Sequence, residues 1–559
     1  NFELGSMASF FTYEEILGHL DNMFLLYPNL ITNKAPIGNY LTNEGNEIYY
    51  IKISDNPNTN EEDKEPLILY NALHHAREPM SVSQLVFYMY YLLENYDSDQ
   101  GIKDLIDHTE MYFVPVINPD GYIFNQTSSP DGGGMWRKNR TDNGDGTTGV
   151  DLNRNYGYNW GYDDTGSSPN TDSNIYRGTA PFSETETQAM HDFCLLHDFK
   201  IILNYHAYGN LLIYPWGYAY SLITDDDAVF RTFARRITWA NRYKYGTGDQ
   251  TVNYISNGTS DDWQYDETGA FAMTPEVGRA GVDGFWPVPS QIIPLAQQNV
   301  SANLQAAYCV GRYSLVEEQG DSYFNDLSGE INFAIQRLGL LDSSSFVVSC
   351  APVSSNITAI TPSSLSFDNL EILEQQTDVF NYSLNDSINY GDTISYVLSV
   401  SNGWFSLHDT INKVYLPTLV LNDTIVMASS ASNWNFDDGW GFTNETAYSG
   451  SQCITDSPGG NYFSSSIYYL HLDSLLDLSD ATAANLNFWA KWQVERFYDY
   501  VQIQASIDDG FSWQALCGQF SKPGSIYQSE NQPIWDGEQA LWVKESVDLS
   551  SFVGNDSVL

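Results

Sequence analysis

Apolar positions in the first half of the chain follow two rhythms, short unbroken runs and stripes spaced by three and four residues. In Phe11–Tyr27 the stripe is Ile16, Leu17, Leu20, Met23 and Phe24, which predicts an amphipathic helix. Thr12, with Glu15 three positions on, supplies a capping box for it. Glu47–Ile53 alternates as a half-buried strand does. Leu67-Ile68-Leu69-Tyr70, between Pro66 and Asn71, reads as a buried strand. A second stripe, Val82, Leu85, Val86, Met89 and Leu92/Leu93, predicts a helix from near Ser81. Further runs at Glu110–Ile117, Ile201–Leu203 and Ala270–Glu276 predict strands. Ser183–Phe199, Phe230–Arg242 and Ile292–Val316 predict helices, the last carrying Cys309. Asn118-Pro119-Asp120-Gly121 has the composition of a turn, and Gly132–Arg140 that of a Gly-rich loop.

Near residue 320 the pattern changes. From Gly329 to Thr418 the chain becomes short alternating runs, such as Ser345–Ser349 and Thr393–Val400, separated by Ser, Asn, Asp and Gly. That predicts an antiparallel β-sandwich over 321–418. Residues 419–559 resemble jelly-roll modules of secreted bacterial proteases, and the module is expected to be truncated at its C-terminal end. Ser506, Asp508, Gly510 and Trp513 fit the S-x-D-x-G-x-x-W spacing of a structural hairpin turn.

At 559 residues and 42% hydrophobic, the chain is long enough for several cores. Its 71 acidic side chains against 24 basic ones give a formal charge of −47. Such a polyanion excludes non-specific binding to nucleic acid or to an anionic membrane. The cations are unevenly placed, 18 within residues 1–320 and six beyond. Cys194, Cys309, Cys350, Cys453 and Cys517 are scattered without a C-x-x-C; Cys194 and Cys309 read as buried thiols, and Cys453 with Cys517 as a pair that could bridge. No apolar stretch is long enough to span a bilayer. The abrupt start at Asn1 reads as a mature or trimmed product.

The candidate chemistry lies at strand ends. His75 and Glu78 form an H-x-x-E on the loop after the Leu67–Tyr70 run, and His206 follows the Ile201–Leu203 run. An imidazole and a carboxylate so placed can share a Zn²⁺, but a catalytic site needs at least one more protein ligand. With Met135-Trp136-Arg137-Lys138, Asp151-Leu152-Asn153-Arg154-Asn155, Tyr254 and Met273-Thr274-Pro275-Glu276-Val277-Gly278 in this order, residues 9–315 resemble the zinc carboxypeptidase family of carboxypeptidases A, B and T.

The resemblance implies an α/β domain over 1–320, a zinc-carboxypeptidase fold with a central mixed sheet flanked by helices, ahead of the two all-β modules. It implies one catalytic Zn²⁺ on His75, Glu78 and His206, with Glu276 as general base and Arg137 facing the oxyanion. Arg77, Asn153, Arg154 and Tyr254 would bind substrate, and Asp261 would set a preference for C-terminal Arg or Lys, with apolar residues tolerated. The expected partners are peptides or proteins with a free C-terminus, met outside a bacterial cell. Structural Ca²⁺ is a further expectation, for the oxygen-rich loop Tyr162–Tyr176. Two alternatives stay open: a carboxypeptidase of peptidoglycan peptides, and an inactive relative that binds surfaces. All the matched residues precede 320, so the β modules are expected to be dispensable for chemistry.

Overall fold

The computed structural model describes residues 2–341, 344–417, 434–437, 439–472 and 474–559. The strands of the first half are β1 Ala35–Leu41, β2 Glu47–Ile53, β3 Leu67–Ala72, β4 Glu110–Val114, β5 Phe199–Tyr205, β6 Leu211–Ile213, β7 Lys244–Gly246 and β8 Phe271–Glu276. They form one sheet in the order β1-β2-β4-β3-β5-β8-β6-β7. The middle four, β4, β3, β5 and β8, run parallel, and the pairs β1–β2, β2–β4 and β6–β8 are antiparallel.

The helices are α1 Tyr13–Leu26, α2 Pro79–Asn95, α3 Gln100–Ile106, α4 Pro119–Ser128, α5 Thr185–Leu196, α6 Asp227–Ile237, α7 Gly248–Thr251, α8 Ser260–Trp263 and α9 Pro289–Val310. The run Leu67–Tyr70 is apolar throughout because β3 is covered on both faces. Ile68 and Tyr70 join one core with α2 and α9, while Leu67 and Leu69 join the other with Ala189, Met190 and Phe193 of α5.

Helix α1 carries the expected capping box of Thr12 and Glu15. Four expectations are corrected. Asn118–Gly121 is not a free turn but the start of α4: the Asn118 side chain accepts from Gly121 N at 2.9 Å, and Pro119 takes the position where a missing N–H costs nothing. Gly121 is required there, since a Cβ would lie 2.5 Å from the Lys138 carbonyl. Phe199 begins β5 rather than ending a helix, α6 stops at Ile237, and α9 stops at Val310.

Past α9 the chain forms β9 Ser314–Glu318, β10 Tyr323–Phe324, β11 Ser328–Arg337, β12 Ser345–Pro352, β13 Ile357–Thr361, β14 Ser364–Asp368, β15 Gln375–Leu384, β16 Thr393–Ser401 and β17 Ser406–Tyr415. They make a five-stranded sheet, β10-β17-β16-β12-β14, and a four-stranded one, β13-β15-β11-β9. Phe333 and Phe380 from one and Phe346 and Tyr396 from the other share a core. The boundary expected at 418–419 lies outside the described residues. From Trp434 onward the described strands are also β, the longest being Asn485–Val494 paired with Gly537–Asp548. Gln504–Ala505 and Gln514–Ala515 pair across the expected hairpin turn, where Ser512 N donates to Asp508 Oδ1 at 2.8 Å. All five cysteines are free thiols, so Cys453 and Cys517 are not bridged. Among the described residues no helix is long and apolar enough to cross a membrane.

Candidate active site

The site sits where parallel strands end. β3 ends at Ala72 and leads into the loop of His74–Glu78; its neighbour β5 ends at Tyr205 and leads into His206; β8, next again, ends on Glu276. Carboxyl ends of parallel strands are where open α/β sheets place ligands. His206 N donates to the Pro275 carbonyl at 2.9 Å and Val277 N to the His206 carbonyl at 3.0 Å, which locks His206 and Glu276 side by side.

His75, Glu78 and His206 converge and are all buried. The His75 Nδ1 and His206 Nδ1 atoms lie 3.0 Å apart, each 2.9 Å from an oxygen of Glu78. Two imidazole nitrogens and a carboxylate, dry and turned on one point, form a donor set suited to Zn²⁺. The same imidazoles hold the Glu78 carboxylate well below its ordinary range, against the opposing effect of burial.

Asp151, to which the sequence pattern assigns no role, lies behind His75 and beside Arg137. Fully buried, it places Oδ1 3.1 Å from His75 Nε2. Its Oδ2 accepts from Arg137 Nη2 at 2.9 Å and from Arg137 Nε at 3.1 Å. A carboxylate behind a metal-directed histidine fixes the ring and its tautomer. The signal was its place two residues ahead of Asn153 in the same run. Burial works against the charged form of Asp151, but Arg137 and His75 keep its carboxyl well below the usual range.

Arg137 lies on the Gly-rich loop, whose backbone is pinned to the His74–Glu78 loop by Ala76 N donating to the Arg137 carbonyl at 3.0 Å. Asn153 Oδ1 accepts from Ser260 N at 2.9 Å, and its Nδ2 lies 3.4 Å from His206 Nε2. Arg154 is buried and held by the carbonyls of Gly166 and Asn153. Arg77 is half-buried with its guanidinium 4.3 Å over the Phe285 ring. Tyr254 is half exposed, and burial of its phenol end, more than the nearby charges of Arg154, Glu276 and Arg137, raises its pKa. Glu276 Oε2 is a buried oxygen with no hydrogen-bond partner, and burial next to Glu78 pushes its carboxyl well above the ordinary range.

Asp261, on α8, is buried; its Oδ2 accepts from the Thr274 hydroxyl and its Oδ1 from Asp262 N, both at 3.0 Å. Arg154 is near enough to feel the Asp261 charge. Asp262 beside it accepts from Gly217 N at 2.9 Å, and burial together with Asp261 raises its carboxyl well above the usual range. In the loop Tyr162–Tyr176, Asp163 Oδ1 is already taken by Thr165 N, Gly166 N and Asn257 Nδ2.

A sequence model described as zinc carboxypeptidase matches residues 16–302. Carboxypeptidase B of Astacus astacus is 33% identical over 303 residues, 52% of this chain and 93% of that protein. Carboxypeptidase A4 of Mus musculus is 33% identical over 291 residues, 51% of this chain and 66% of that protein's length. A crystal structure of carboxypeptidase A from Helicoverpa armigera covers 54% of this chain and 75% of its own, at 27% identity and a TM-score of 0.47. With the family's sequence pattern matched across the strands that carry the buried histidines and carboxylates, the chain belongs to the zinc carboxypeptidase family.

Proposed function

We propose that the chain hydrolyses the C-terminal peptide bond of peptides and proteins, with His75, Glu78 and His206 holding one catalytic Zn²⁺. The observation that carries this reading is the convergence of those three side chains beside the unpartnered Oε2 of Glu276. Zinc bound there supplies a Lewis acid for the scissile carbonyl and lowers the pKa of a water.

The chain's own groups do the rest. Glu276 Oε2, a buried oxygen without a hydrogen-bond partner, takes a proton from the attacking water and returns it to the leaving amine. Arg137, made rigid by Asp151, presents fixed positive charge to the oxygen that becomes negative. Asn153 and Arg154 grip the free carboxylate, which Arg can do in bidentate fashion. Tyr254 closes over it from the exposed side, and Arg77 contacts a substrate carbonyl.

Asp261 supports a preference for C-terminal Arg or Lys. A buried carboxylate is costly unless paired, so a substrate Arg or Lys side chain gains a partner there that an apolar side chain does not supply. The likeness of the C-terminal β region to modules of secreted bacterial proteases supports an extracellular site of action, which recovery from the culture supernatant of the source organism would test.

The deciding experiment is release of C-terminal residues from peptides, with and without a chelator. Chelator-sensitive release from ordinary peptides is expected; release only from cell-wall peptides, or none, overturns the reading. Matched peptides ending in Arg and Phe then test Asp261. Asp261→Ala should lower the Arg:Phe ratio of kcat/KM by about 10-fold or more, the scale of one lost charge contact; an unchanged ratio removes Asp261 from specificity.

A further inference from the structure

The C-terminal β region reaches into the chain segment that leads to the site. Arg496 follows the strand Asn485–Val494 and is 7% exposed. Its Nη1 donates to the Tyr243 carbonyl at 2.6 Å and to the Thr238 hydroxyl at 2.9 Å, and its Nη2 to the Thr238 carbonyl at 3.2 Å. Thr238 caps the C-terminus of α6, and Tyr243 is the residue before β7. Between them Arg242 adopts a left-handed backbone, φ 59°, and donates to Asp536 Oδ2 at 3.0 Å and to the Pro523 carbonyl.

Strand β7 is three residues long, lies at the edge of the sheet and is paired with β6 alone. So short an edge strand depends on what fixes its ends. Directly after it come Thr247 and α7, closed by a capping box between Thr247 and Gln250, and then Tyr254. The two Nη groups of Arg496 donate to two carbonyls and a hydroxyl in a dry contact, while Nε is buried without a partner, and this planar fork is a rigid fixing for the corner ahead of β7.

We propose that Arg496 is a positioning residue: by fixing the Thr238–Tyr243 corner it holds β7, and with it the loop Thr247–Tyr254 that brings Tyr254 over the substrate carboxylate. The catalytic half of this rests on Tyr254 acting as proposed above. It gives the C-terminal β region a part in the reaction, although every matched site residue precedes 320.

The test uses the full chain with Arg496→Ala, Arg496→Lys, Tyr254→Phe and the Arg496→Ala/Tyr254→Phe pair. Arg496→Ala should raise KM for peptides with a free C-terminus by about 3- to 10-fold, with a smaller change in kcat and an intermediate value for Arg496→Lys. In the Tyr254→Phe background the same change should add less than about 2-fold, because both act through one loop. Amide exchange at Thr251 and Val252, whose N–H groups close α7 onto Thr247 and Gly248, should quicken in Arg496→Ala while β3 and β5 stay protected. Unchanged exchange in this loop overturns the proposal whatever Tyr254 does, as does an equal KM penalty in both backgrounds. Quicker exchange with a kinetically silent Tyr254→Phe overturns the Tyr254 assignment, and the catalytic half of the proposal with it. Should Arg496→Ala lose cooperative melting, Arg496→Lys carries the same comparisons.

Discussion

A buried carboxyl oxygen without a donor is costly, and Glu276 Oε2 is one beside a cluster of metal-directed groups. Glu276→Gln keeps the shape and removes the proton acceptor, so kcat should fall by about 10²- to 10⁴-fold while the protein melts normally. Near-normal turnover would place the base elsewhere. Asp151 makes the second prediction at this scale. It holds His75 from behind and Arg137 from the side, so Asp151→Asn should weaken zinc binding by about 10- to 100-fold in competition with a chelator. Unchanged affinity would reduce Asp151 to a partner of Arg137. The strand ends carrying His75, Glu78 and His206 were legible from the apolar runs before them; their role as metal ligands came only from the resemblance to the zinc carboxypeptidases. Asp151 was not legible, since its meaning comes from a contact with a residue 76 positions away.

At the scale of elements, strands were legible where the chain is apolar on both faces, as in β3 and β5, and boundaries were not. Asn118–Gly121 has the composition of a turn, yet Asn and Pro serve equally as helix cap and first helical residue; the difference lies in the chain that follows. The stripe of α9 runs on past Val310 only in appearance, because Leu315 packs against the same core from the strand β9. Helix α5 supplies a prediction that sequence alone does not offer. Glu186, in its first turn, is fully buried beside Glu184 and Asp120, and burial raises its carboxyl to about 8. A carboxyl raised on folding binds its proton in the native state over a pH range where the unfolded chain has released it. Stability from this group is therefore present at low pH and is lost as pH rises from about 4.5 toward 8. Glu186→Gln should be more stable than the parent by about 3 kcal/mol at pH 7, read as a higher Tm, with the difference shrinking toward pH 5. Parallel Tm–pH curves would show that Glu186 ionises freely in the fold.

The whole molecule carries a formal charge of −47, so docking two acidic parts against each other calls for a local exception. The surface of α6 and the corner after it provides one. Arg231 Nη1 meets Glu538 Oε1 at 3.0 Å, Arg235 Nη1 meets Gln539 Oε1 at 3.1 Å, and Arg242 meets Asp536. The uneven spread of cations along the sequence, legible without a structure, thus has part of its use in this contact; the contact itself was not legible, since it joins residues about 300 positions apart. Asp536 is its centre. Fully buried, it also pairs with Lys522 at 3.1 Å and accepts from Gln528 at 3.1 Å. Burial works against its charge, but Lys522 and then Arg242 hold its carboxyl below the ordinary range. Asp536→Ala would leave the partly buried Arg242 and Lys522 without their counter-charge, a change that costs up to about 3–5 kcal/mol, the figure for removing one partner of a fully buried pair. Calorimetry should show the C-terminal β region melting earlier while the core of α2, α9 and the central sheet keeps its transition. Limited proteolysis should open new cuts beyond Trp434 first. A melt displaced as one unit, with no early cuts, would mean instead that the two parts unfold together and that the contact belongs to a single cooperative structure.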